Sequence, residues 1–129
     1  MITEVALMLS LTILGCLLVM QILLIAGVPI GHYAWGGKER VLPPRMRIAA
    51  VVAIGLYLGF AALLSSRAGI LPGGDSAAVV IATWILLAYS AFSIIANLAS
   101  RSGQERAVQT PVSVALTLGI LLVALGTTG

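Results

Sequence analysis

Charge is scarce in this 129-residue chain. Lys and Arg number seven, Asp and Glu four, and together charged residues make up 9%. Soluble domains carry roughly 25% charged residues, so a water-facing surface cannot be built from this set. No lysine-rich run occurs, which argues against nucleic acid as a partner. Cysteine is nearly absent. Cys16 is single and sits in an apolar run, which excludes an internal disulfide and a two-thiol redox mechanism. Histidine is single as well. His32 alone cannot supply a pair of axial haem ligands, and no His/Cys/Glu cluster of metal-ligand spacing accompanies it. A Cys16–His32 nucleophile pair fails on distance, because sixteen residues of continuous helix span about 24 Å. Neither a phosphate loop nor any other catalytic motif is present. The expectation is no cofactor, no metal and no enzymatic activity.

What fills the chain is aliphatic. Hydrophobic residues make up 60%, and the mean hydropathy is +1.15. A bilayer core of about 30 Å needs about 20 helical residues. Four segments meet or approach that length: about 5–28, 46–64, 77–98 and 112–125. The first is too long for a signal-peptide core and reads as retained. The expected fold is all-α and integral to the membrane, one domain of four transmembrane helices. Gly27 and Pro29 mark the end of the first span. Pro43 and Pro44 precede the second, where a first turn tolerates proline. Asp75 or Ser76 is placed to cap the third. Thr110 and Pro111 read as a cap and first-turn proline for the fourth.

Basic residues orient the spans. Lys38, Arg40, Arg45 and Arg47 lie in the first loop, Arg101 and Arg106 in the third, and only Arg67 in the second. The first and third loops are therefore expected on the cytoplasmic side, with both termini outside. His32, Tyr33 and Trp35 then fall at headgroup level, beside Arg45 and Arg47. That basic and aromatic loop suits anionic lipid headgroups at about 1 kcal/mol per basic residue, or serves only as the topology signal. "GGKERVLPP" and "SGQERAVQTP" are alike, aligning Gly37 with Gly103, Glu39 with Glu105, Arg40 with Arg106 and Pro44 with Pro111. Two copies of a helical hairpin explain the likeness; so do two turns with similar needs.

Helix association in lipid relies on small and polar residues. Gly55 and Gly59 form a G-x-x-x-G in the second span, suited to close packing against a neighbour in the chain or another copy. Thr83, Ser90 and Asn97 recur every seven residues in the third span, with Ser93 beside them. They share one face. Gln21, in the inner half of the first span, is the expected partner of Asn97 or Ser93. This face reads as helix glue or as a polar path for a solute. A coupled transporter usually shows an acidic residue within a span. The predicted spans hold none, and Glu4 sits at the outer end of the first. The size invites comparison with small multidrug exporters, whose membrane-embedded glutamate is missing at the matching place.

Two segments carry a wider resemblance. Gly27, Pro29, Gly31, Trp35, Gly36, Gly37, Leu42, Pro43, Arg45 and Arg47 form the first. Asn97, Ser100, Arg101, Ser102, Glu105, Arg106 and Pro111 form the second. The chain resembles, over nearly its whole length, a group of small bacterial four-helix integral membrane proteins of uncharacterised function. The resemblance implies the fold and a bacterial plasma (inner) membrane, and it transfers no mechanism. Absence of catalytic groups favours a non-enzymatic accessory or assembly component, packed against a larger membrane complex or a second copy. The alternative is a small oligomeric transporter or channel for a neutral or lipid-like solute, using Gln21, Ser90, Ser93 and Asn97.

Overall fold

The computed structural model describes residues 2–31, 41, 43–100 and 102–125. Among these residues the fold consists of four helices, α1 (Ile2–Ile25), α2 (Pro44–Arg67), α3 (Ala77–Leu98) and α4 (Gly103–Ala124). All four are long and apolar enough to cross a membrane. At 22 or 24 residues each, they extend about 33–36 Å, enough for a bilayer core. The sequence-predicted four-span architecture is therefore present.

Local chemistry sets the ends. Gly27 and Gly69 adopt left-handed backbone, both with φ of 92°. After α1, Val28 N–H donates to Leu23 O and Gly27 N–H to Leu24 O; after α2, Ile70 N–H donates to Ser65 O and Gly69 N–H to Ser66 O. These paired bonds are Schellman caps, which need a residue at ease with positive φ. Pro44 opens α2 at its first position, after an extended Pro43. Of the two expected caps for α3, Ser76 serves: its Oγ accepts from Val79 N–H at 3.3 Å.

The fourth helix differs from expectation. It begins at Gly103, nine residues before the predicted start, and Pro111 lies inside it. Ser102 caps it, its Oγ accepting from Glu105 N–H at 3.3 Å. Proline removes one ladder bond and is costly in a water-exposed helix, but packed membrane helices tolerate it. Pro44 and Pro111, equated by the loop alignment, thus occupy different places. The rest of the first copy, Gly36 to Arg40, lies outside the described residues.

The helices form an antiparallel ring, α1 beside α2, α3 and α4 in turn, closed by α4 against α1. Large apolar side chains such as Ile48, Leu58, Ile85 and Phe92 point outward. Small or polar ones such as Ser10, Ala50, Thr83 and Ser90 point inward. That inversion suits lipid as the outer solvent, where helices associate through close packing and interhelical hydrogen bonds. The tightest approach is α1 on α4. A Cβ at Gly119 would collide with Ser10 Oγ and come within 3.3 Å of Ala6 O.

At the opposite end from the first and third loops, Arg67 folds back over the helix ends. Its guanidinium donates to Gly74 O at 3.4 Å and to Ala124 O at 3.3 Å. Those carbonyls lie in the turn before α3 and at the end of α4. A cation suits the negative end of a helix dipole, so Arg67 has a structural task. Its contact with the fully exposed Asp75, at 3.8 Å, is long and solvated and adds little.

Candidate functional site: an intramembrane cavity

Polar side chains from all four helices converge between them. Gln21 comes from α1, Tyr57 from α2, Ser90, Ser93 and Asn97 from α3, and Glu105, Gln109 and Ser113 from α4. They line a cavity of about 490 Å³, within the range of small-molecule sites. Its other walls are aliphatic and aromatic, including Leu14, Leu56, Phe60, Leu86, Leu116 and Ile120. Three lining residues, Val52, Leu56 and Tyr89, are also exposed on the outer surface of α2 and α3. The cavity therefore opens sideways between those two helices, which pack less extensively than the other neighbouring pairs. Beside the opening, Phe60 contacts Tyr57 at 6.4 Å and Tyr89 at 6.0 Å between ring centroids. This aromatic row spans α2 and α3 together with aliphatic side chains such as Leu64 and Leu86.

The polar wall is internally bonded. Asn97 Nδ2 donates to Gln109 O at 3.3 Å and to Ser113 Oγ. Ser90 and Thr117 hydroxyls meet at 2.8 Å, and Ser93 donates to Ser90 O at 2.6 Å. Gln109 Nε2 donates to the Met20 sulfur at 3.2 Å, joining α4 to α1. Gln21 of α1 and Tyr57 of α2 lie on the same cavity wall. The predicted partners of Gln21, Asn97 and Ser93, line the same cavity as Gln21. α1 and α3 lie across the ring from each other, and these residues meet at the cavity between them. Gln21, Ser90, Ser93 and Asn97 do come together at one site.

Glu105 is the residue that sequence reading missed. The sequence places it in the third loop, outside the predicted spans. It instead stands in the first turn of α4, 5% exposed, and lines the cavity. A signal for it exists. Ser102-x-x-Glu105 before an apolar run is a capping-box signature, and it starts the helix at Gly103. From that start, Glu105, Gln109, Ser113 and Thr117 recur every four residues on one face. Neighbouring Arg106 turns away, donating to Ser100 O at 2.5 Å.

The remaining predicted residues sit elsewhere. Gly55 and Gly59 are exposed, and a Cβ at either would meet nothing within 4 Å. The packing expected of them within the chain does not occur, because α2 turns that face outward. Arg45 is exposed and Arg47 half-buried at the start of α2. His32, Tyr33 and Trp35 lie outside the described residues. Cys16 is exposed on α1. Among the described residues no group of three or more His, Cys, Asp or Glu could hold a metal. No family model, no curated protein and no solved structure matches the chain.

Proposed function

We propose that this chain is a non-enzymatic, multi-pass protein of a bacterial inner membrane that binds a lipid-like, amphipathic solute and carries it across or within the bilayer. The first and third loops face the cytoplasm in this reading. The observation that carries it is the cavity, with a polar wall, an apolar wall and a lateral mouth between α2 and α3. A mouth facing lipid admits a solute that partitions into lipid. The transporter reading thereby moves ahead of the accessory-subunit reading. Ala53, buried in the cavity wall on α2, supplies the test. Ala53→Phe fills the space while leaving every polar group in place. Reconstituted protein carrying it should lose binding and flux of a fluorescent single-chain lipid, with helicity unchanged. Flux at the wild-type rate in that variant would remove the reading.

A second reading keeps support from one observation. Gly55 and Gly59 present a bare helix face to the outside, suited to close approach by a second copy or a larger membrane protein. Gentle extraction followed by mass spectrometry tests it. A stoichiometric partner lost in Gly55→Leu supports an accessory role; a monomer in both proteins counts against it.

A further inference from the structure

The cavity is graded along its length. Its lining on α4 runs from Glu105 to Ile120, about 22 Å of helix. The end near the first and third loops is polar, with Glu105, Gln109 and Asn97. The deeper part is apolar, with Leu86, Phe60 and Ile120. A solute that fits this gradient has a polar head near the membrane surface and an apolar body toward the bilayer centre. The sign of the head follows from the polar end. Glu105 brings a carboxylate, an acceptor of hydrogen bonds when ionised. Asn97 spends its donor on Gln109 O and Ser113 Oγ. A backbone carbonyl only accepts, so the amide NH₂ must face α4, and the Asn97 carbonyl oxygen is left outside that pair of bonds. Among the described residues no Lys or Arg lines the cavity. Arg106 is turned onto Ser100.

We propose that the cavity takes an amphipathic organic cation, its ammonium head against Glu105 and its apolar body toward Leu86, Phe60 and Ile120. This rests on reading the cavity as a solute site. A carboxylate has two oxygens and about four lone-pair positions, so it receives an ammonium in addition to protein partners. An intramembrane carboxylate in a cavity is a functional-site signal in its own right. Glu105 is also third in a capping-box pattern, but the cap does not need its charge. Ser102 N–H donates to Ser100 Oγ at 3.2 Å, and glutamine serves equally at that position.

The test measures binding to the protein in phosphatidylcholine nanodiscs, with empty nanodiscs subtracted. The probes are dodecylammonium and its neutral counterpart dodecanol. The ammonium should bind at least about tenfold more tightly, and Glu105→Gln should weaken it about 10- to 100-fold while leaving the alcohol unchanged. Equal binding of the two probes, or equal loss of both in Glu105→Gln, overturns the inference and leaves the cavity reading standing. Failure of both probes to bind overturns the cavity reading itself, and the inference with it. Given the ammonium preference, competition by phosphatidylethanolamine identifies the head as a lipid's; no competition identifies a free amine.

Discussion

Gly119→Ala probes the seam that closes the far side of the cavity. The new Cβ collides with Ser10 Oγ and comes within 3.3 Å of Ala6 O. Ser10 has little freedom to yield. It is wholly buried, and its hydroxyl donates to Ala6 O at 2.8 Å. Overpacking of this kind costs about 1–3 kcal/mol. Replacing glycine by alanine inside a helix returns about 0.8–1.0 kcal/mol. The net expectation is a loss of about 1 kcal/mol, larger if α1 and α4 separate. Ser10→Ala removes the colliding atom, so in that background Gly119→Ala should be neutral or stabilising by up to about 1 kcal/mol. The assay is reversible unfolding in mixed micelles, followed by helical circular dichroism, on all four proteins of the cycle. A coupling energy of about 1–2 kcal/mol between the sites is expected. Additive effects within error would refute the close approach of α1 and α4 at this level.

Three further outcomes follow from other seams. Arg67→Ala should destabilise by about 1.5–3 kcal/mol, since charged hydrogen bonds to Gly74 O and Ala124 O are lost; the same unfolding assay checks it, and Arg67→Lys should restore only part, lacking the planar fork. Asn97→Leu should cost about 0.6–1.7 kcal/mol, the range for interhelical hydrogen bonds in membranes, together with loss of ammonium selectivity in the nanodisc assay. Gly55→Leu and Gly59→Leu should each stabilise the monomer by about 0.5–1 kcal/mol, because a side chain there meets open space and the glycine's helix penalty is removed; cross-linking between copies or with a partner should be lost.

Three of the four helices were legible because their ends carry local signals. Gly27 could adopt positive φ, Pro44 fits a first turn, and Ser76 caps α3. α4 was misjudged because Pro111 read as a start. That rule belongs to helices exposed to water, and Ser102 three residues before Glu105 was the stronger signal. The error had a consequence for function, since it pushed Glu105 into a loop and emptied the spans of acid. The polar face of α3 is legible as a face, but its bonds to α4 are not. A stripe on one helix says which residues point inward; which neighbour they meet depends on ring order. α3 packs on α4, so Asn97 bonds Gln109 and Ser113. Gly55 and Gly59 show the same limit, because a small-residue motif names a face and not its occupant.

Helix glue and solute face are alternatives only while the polar residues are considered one at a time. In lipid a buried polar group is costly unless bonded, so a polar cavity wall has to be held by bonds before it can meet a ligand. Asn97 illustrates how one residue does both. Its NH₂ group ties α3 to α4, and that tie fixes the direction of its carbonyl oxygen. Ser90 and Thr117 bind each other deeper in the same seam and hold the two helices in register. The α1–α4 seam is closed by Gly119 against Ser10 and by Gln109 on Met20. Polar bonds thus concentrate on α4, which is joined to both of its neighbours. α2 and α3, by contrast, meet through the rings of Phe60 and Tyr89 and through aliphatic side chains such as Leu64 and Leu86. In the proposed function, the apolar seam between α2 and α3 is where a lipid-soluble molecule enters the cavity. Val52, Leu56 and Tyr89, the exposed members of the cavity lining, flank that seam.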